Sequence, residues 1–236
     1  MVMDSTDILV GIKAELGEPN EETPEEGKVI ASVDCCPSAS PEFEGKGGAQ
    51  INVELATVMQ RMLQGAAVDL RRLCLLPGQQ CWVLYIDAMV LDSGGNLFDA
   101  LSIAIRAALA NTTLPTITVS KGDNQEEFEL ELDPDRTISL PIDNVPICVT
   151  LSKVGKHFVV DSTLEEELCT SCRLTFAVNQ KGHLFTIQKG FGTISPVALP
   201  QLISTAQNVS SLVIQEMDKL LQAEAQGKKQ KIGFLL

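Results

Sequence analysis

Apolar positions along this chain alternate with polar ones in short runs for most of its length, and switch to helical spacing in three places. Asp7 to Lys13 (Asp-Ile-Leu-Val-Gly-Ile-Lys) reads as a buried strand, and Lys28 to Val33 as a second one. Between them, Glu15 to Glu26 carries six glutamates with Pro19 and Pro24, so residues 15–28 are expected to form a solvated acidic loop. Cys36 to Gly48, with Pro37, Pro41 and three glycines, reads as a loop rich in turn residues.

Ala49 to Gln64 has the spacing of an amphipathic helix, with Ile51, Leu55, Val58 and Met62 on one face. From Cys81 to Asp92 nearly every position on both pleat faces is apolar, which predicts a strand covered on both sides. Asp92-Ser93-Gly94-Gly95 then makes a turn. Asn96 is the expected N-cap and Asp99 the first-turn acid of a helix over Leu97 to Ala110, whose stripe is Leu97, Leu101, Ala104 and Ala108. Short strands follow: 116–120, 127–131, 137–140, 148–154, 157–161, 173–178 and 184–189, separated by turns such as Gln180-Lys181-Gly182. A long last helix is expected from about Pro200 to Gln226, ended by Gly227, with a basic and then apolar tail over 227–236 containing Lys228, Lys229 and Lys231. No fixed-period repeat interrupts this order. It predicts a single domain over 1–236, α/β or α+β, with helices covering sheet.

Composition narrows the classes of function. With 44% hydrophobic and 21% charged residues in 236, the chain has the balance of a globular protein rather than a disordered or fibrous one. A chain this long buries roughly 70% of its unfolded surface and needs no disulfide or metal staple. Its net charge of -13 works against free-standing nucleic-acid binding, because affinity for phosphates comes from Lys and Arg displacing counterions. A role as one wall of a larger RNA-binding assembly stays open. Met1 to Asp7 lacks the basic start of a signal peptide, and Cys81 to Leu91, interrupted by Asp87, is too short to cross a bilayer. Seven cysteines point to reduced thiols, so an intracellular soluble protein is expected.

Few motifs carry chemistry. Cys169-Thr170-Ser171-Cys172 has the spacing of half a zinc site, but no second pair complements it; Cys35-Cys36 is vicinal, and His157 and His183 stand in turn contexts. Neither a metal site nor a redox dithiol is expected, and the thiols read as small half-buried hydrophobes. Gly45-Lys46-Gly47-Gly48 lacks the spacing of a phosphate cradle. Asp161-Ser162-Thr163-Leu164-Glu165-Glu166-Glu167, after an apolar strand end, supplies carboxylates that can act as general acid or hold a divalent cation. The same spacing equally makes a capped, solvated acidic turn. Lys46, Arg61, Arg71 and Arg72 form the basic grouping outside the tail, and Arg71 and Arg72 can simply answer nearby carboxylates.

Several segments in order resemble the RNase PH-like ring subunits of the RNA exosome. They are Thr6 to Glu15, Pro41 to Gly48 (Pro-Glu-Phe-Glu-Gly-Lys-Gly-Gly), Cys81 to Asp87, Leu91 to Ala100 (Leu-Asp-Ser-Gly-Gly-Asn-Leu-Phe-Asp-Ala), Asn144-Val145-Pro146 and Val160 to Glu167. The match covers almost the whole chain. It implies mixed β-sheets flanked by helices with a long C-terminal helix. It also implies pairing into a hetero-hexameric ring with other RNase PH-like subunits and RNA-binding cap subunits, around a channel for single-stranded RNA. No cofactor and no membrane partner are implied, and the location would be nucleus, nucleolus and cytoplasm.

In phosphorolytic members of that family, arginines bind inorganic phosphate and an acidic pair near the motif matching Asp161 to Glu167 supports attack on the terminal linkage. Here Glu167 stands where active relatives carry a second Asp, and Leu101 to Leu109 offers only Arg106. The resemblance therefore implies a non-catalytic ring subunit in RNA processing and decay, with Lys46 and Arg61 as candidates for the channel wall. The alternative is a phosphate-dependent 3′-to-5′ exoribonuclease using Asp161, Glu165 and Glu167. The family also opens with a segment containing an Arg-x-Asp-Gly-Arg motif and the first strands of the sheet. Met1 stands just before what should be an interior strand, so a shortened form that assembles less well is expected.

Overall fold

A computed structural model describes residues 2–3, 6–64, 67–121 and 128–226. The first sheet is built from β1 (Val2–Met3), β2 (Thr6–Gly17), β3 (Lys28–Cys35), β4 (Cys74–Leu76) and β5 (Gln80–Asp92), in the order β1-β2-β5-β3 with β4 also on β5. β2 runs antiparallel to β5 with Ile8 opposite Val90 and Gly17 opposite Cys81, while β3 runs parallel to β5. Helices α1 (Gly45–Leu63) and α2 (Leu97–Asn111) cover one face. A two-stranded ribbon, β6 (Thr113–Lys121) and β7 (Phe128–Ser139), leads to the second sheet of β8 (Ile147–Val154), β9 (His157–Val160), β10 (Thr170–Val178) and β11 (Leu184–Lys189), ordered β11-β10-β8-β9. The short α3 (Leu164–Leu168) joins β9 to β10, and α4 (Leu199–Gln226) closes the described chain. No described helix is long and apolar enough to cross a membrane.

α2 sits between the two sheets. Ser102 Oγ accepts from the Cys148 backbone N–H at 2.8 Å, tying the helix to β8. On the far side of the second sheet, Leu202 and Ala206 of α4 pack on Val149, Leu151, Leu174, Phe176 and Val178. β8 is thus buried on both faces. The same helix α2 holds Arg106, only 1% exposed, whose guanidinium donates to the Ile142 and Val145 carbonyls and pairs with Asp218 of α4 at 3.4 Å. Arg106 therefore serves packing, joining three segments that a purely apolar helix would leave unlinked.

Four element readings need correction. β2 is not buried: it alternates, with Leu9 60% exposed on the open face, and it runs on through Glu15 and Leu16, so the acidic loop spans 18–27. β5 is covered on both faces only from Cys81 to Leu84, and beyond it Asp87, Met89 and Leu91 face solvent because no described helix lies on that side. α1 begins at Gly45, four residues before the expected start; Gly48 lies so close to the Phe43 carbonyl that only a residue without Cβ fits. The two strands expected at 127–131 and 137–140 are one, β7, with a register shift opposite Pro115/Thr116 absorbing the Asp133-Pro134 turn signal. Glu127, Gly227 and the tail lysines lie outside the described residues.

Candidate functional site

Three elements meet where the chain leaves β5: the first turn of α2, the α3 segment and the start of β10. The Asp92 to Gly95 turn is fixed by Thr6, whose hydroxyl donates to the Gly95 carbonyl at 2.9 Å and accepts from the Gly94 N–H at 3.1 Å. Gly95 has φ +114°, and a Cβ there would lie 2.8 Å from both the Ser162 carbonyl and the Leu164 nitrogen. Glycine is required here for conformation and for space.

Asn96 follows in the left-handed region at φ 50° and does not cap α2 with its side chain, contrary to the sequence reading. Its amide Nδ2 instead donates to Asp99 Oδ2 at 3.1 Å and to Asp161 Oδ1 at 2.9 Å, and its backbone N–H donates to Glu167 Oε1 at 3.0 Å. One residue thereby engages three carboxylates from two parts of the chain. Asp99 also accepts from the Thr150 N–H at 2.9 Å and the Thr150 hydroxyl at 2.7 Å. Its carboxyl is pushed up to about 7 by burial, against which the Thr150 and Asn96 hydrogen bonds act. Thr163 and Glu166 form a reciprocal capping box at the start of α3, and Glu165 is exposed.

Beside this network lies a cleft of about 250 Å³ lined by Glu167, Ser40, Ser93, Glu54, Phe98 and Arg173, among others. The Arg173 guanidinium lies 4.9 Å from the Phe98 ring centre and 5.9 Å from that of Phe191, and pairs with Glu54 at 3.2 Å. Asp161 and Glu167, read together from the sequence, do share one neighbourhood, but they converge on an amide. Among the described residues no group of three or more His, Cys, Asp or Glu is placed to hold a metal ion. Cys169 is exposed and Cys172 fully buried; His157 is exposed at the start of β9, and His183 is exposed in the loop before β11.

Lys46 and Arg61 stand at opposite ends of α1, about 22 Å apart along its axis. Both are exposed, and Arg61 donates to Gln188 at 2.6 Å. Arg72 pairs with Asp69 at 3.1 Å. Arg173 and Glu54 escape a sequence reading: they are 119 positions apart, and nothing local marks Arg173, which sits in an ordinary strand pattern. The bridging role of Asn96 is hidden for a different reason, since Asn before a helix is an ordinary cap signal.

Residues 1–115 match domain 1 of the 3′ exoribonuclease family, RNase PH type, and residues 144–209 match domain 2. A Dictyostelium discoideum protein named as exosome complex exonuclease RRP42 is 39% identical over 269 aligned residues, covering 93% of this chain and 83% of the relative. The exosome complex component Rrp42 of Thermococcus kodakarensis is 41% identical over 189 residues, covering 80% of this chain and 68% of the relative. Among solved structures, the Archaeoglobus fulgidus exosome with RNA bound to the active site contains a chain that superposes with a TM-score of 0.75 at 30% identity, covering 89% of this chain and 79% of its own. An archaeal exosome core gives 0.73 at 27% identity, covering 90% and 77%. With both domain models matched in order and relatives of this identity aligned over most of their length, the chain belongs to the RNase PH type of the 3′ exoribonuclease family.

Proposed function

We propose that this chain is a non-catalytic ring subunit of an exosome-type complex, working in 3′-to-5′ RNA processing and degradation, rRNA maturation included. Its partners in this reading are other RNase PH-like subunits and RNA-binding caps, in the nucleus, nucleolus and cytoplasm. The assembly half is supported by relatives that carry exosome component names. The non-catalytic half rests on one observation: the Asn96 amide and backbone N–H engage Asp99, Asp161 and Glu167 together. Carboxylates spent on holding α2 against α3 are not poised to move a proton or to organise a cation. The net charge of -13 agrees, since a self-sufficient RNA enzyme needs a basic path of its own. Lys46 and Arg61 are the positions proposed to touch RNA phosphates along a shared channel, a sequence-blind contact.

The test has two parts. Native mass spectrometry of the tagged chain captured from cells is expected to show a multi-subunit assembly with other RNase PH-type chains. Recovery of this chain without any such partner overturns the assembly reading. The purified chain, given single-stranded RNA and inorganic phosphate, is expected to release no nucleoside diphosphate. Release that disappears in Asp161→Asn would establish the exoribonuclease alternative through Asp161, Glu165 and Glu167 instead.

A further inference from the structure

The hairpin of β4 and β5 sets two free cysteines face to face. Cys74 is the direct partner of Cys81 in the antiparallel register, and the register shift between these strands falls after that pair, between Cys74 and Leu76. Among the described strand pairs no other sets one cysteine opposite another. Residues directly opposite in an antiparallel pair have Cα atoms about 4.5–5.5 Å apart and side chains on the same face. A disulfide spans Cα separations of roughly 4.4–6.8 Å, so the backbone already has the spacing that a bridge needs. In sequence the two cysteines stand at no ligand or redox spacing, and only the hairpin brings them together.

Access to the two sulfurs is unequal. Cys74 is half-buried, whereas Cys81 is 0% exposed. A dissolved oxidant therefore meets Cys74 first, and Cys81 is left to react with its cross-strand partner. The Cys74 thiol donates to the Pro24 carbonyl at 3.8 Å. That carbonyl also accepts from the Gly78 N–H at 2.9 Å, so it keeps a donor when the thiol is lost. Cys169 supplies the contrast: it is exposed, but Cys172 lies fully buried in β10, opposite Lys153. The geometry points to Cys74 and Cys81 as an oxidisable dithiol, which closes a cross-strand disulfide when the chain meets a small-molecule disulfide such as oxidised glutathione. The Cys74 thiol gives its proton to solvent, and its sulfur attacks one sulfur of the oxidant. That S–S bond breaks and one glutathione thiolate leaves. The Cys81 thiol then loses its proton and attacks Cys74 Sγ, expelling the second glutathione thiolate. Two cysteine thiols are oxidised, and one glutathione disulfide is reduced to two thiols. This stands apart from the ring reading, because it rests on the β4–β5 hairpin alone and leaves the cleft at Arg173 untouched.

Tryptic cleavage after Arg72 and Arg106 isolates a peptide whose only cysteines are these two. The folded full chain is incubated with oxidised glutathione, quenched in acid, alkylated with iodoacetamide in denaturant and digested. By mass spectrometry the peptide is expected to have lost two hydrogens and to carry neither an alkyl group nor glutathione. Cys81→Ala removes the second step, so Cys74 is expected to accumulate as the glutathione adduct. Cys74→Ser removes the first, and Cys81 should then be recovered fully alkylated. Burial pushes both thiols up, helped at Cys74 by Glu25 and at Cys81 by Cys74, against the opposing effect of Lys28. Bridging should accordingly quicken, by roughly tenfold per pH unit, as the medium is raised from about pH 7 to about pH 8.5. Circular dichroism checks that each variant folds. A wild-type peptide that stays doubly alkylated, or that retains glutathione, overturns the inference. So does a bridge that appears only after the chain is unfolded in urea.

Discussion

β5 and β8 are the central strands of the two sheets, and their sequences predict the opposite of their burial. β5 reads Cys-Trp-Val-Leu-Tyr-Ile-Asp-Ala-Met-Val-Leu, almost continuously apolar, yet from Asp87 onward one of its faces is open. β8 begins Ile-Cys-Val-Thr-Leu-Ser, with hydroxyls at Thr150 and Ser152, yet all six of these residues are buried. The difference lies in the layers. α2 and α4 lie on opposite faces of the second sheet, whereas α1 and α2 share one face of the first. The hydroxyls of β8 are tolerated because each finds a partner: Thr150 bonds Asp99 and Thr175, and Ser152 bonds Ser162 at 3.0 Å. Apolar density along a strand therefore measures what the strand can bury, and the number of layers decides what it does bury.

Truncations in the two sheets should separate them most strongly. Phe176→Ala, in the doubly covered sheet, is expected to cost about 3–5 kcal/mol by urea denaturation. Met89→Ala on the open face of the first sheet should cost less than about 1 kcal/mol. Equal costs would mean that the outer face of β5 is covered in solution. Arg106→Met removes the donor to two buried carbonyls and the partner of Asp218, and should destabilise by roughly 3 kcal/mol. Arg61→Met, on the exposed side of α1, should leave the midpoint nearly unchanged.

The buried carboxylate between the sheets gives a pH-dependent effect. Asp99 titrates near 7 when folded, above its ordinary value of 3.8, so the folded chain binds an extra proton between those limits. The stability this contributes is complete below about pH 4 and is lost as pH rises toward 7 and beyond. Relative to Asp99→Asn, which has no proton to release, the wild-type chain should lose stability from about pH 4.5 to about pH 8. Parallel pH profiles would show Asp99 to be charged throughout. Smallest of all, Arg72→Ala breaks an exposed i,i+3 pair with Asp69, and a shift of less than about 0.5 kcal/mol is expected.

Much of the architecture was legible because local rules and tertiary packing agreed. Leu55, Val58 and Met62 line the buried face of α1 as their spacing predicts, and the turn after Asp92 lies where its two glycines place it. The acidic segment at 161–167 was legible as a neighbourhood but not as a network. Spacing shows that Asp161 and Glu167 are near each other; it does not show that Asn96, more than sixty positions away, binds both. The cleft was illegible for the same reason, since Arg173, Phe98 and Glu54 come from β10, α2 and α1.

Relations among neighbouring residues were enough to set most of the elements, the apolar face of each helix, the acidic character of the chain and the family resemblance. These follow from period, turn chemistry and composition, all of which are local properties. Packing settled the rest: which strands are covered twice, why Arg106 is buried, and what the carboxylates around Asn96 do. Each of these depends on groups brought together from distant positions, where burial sets the cost of a charge and geometry decides whether a partner meets it.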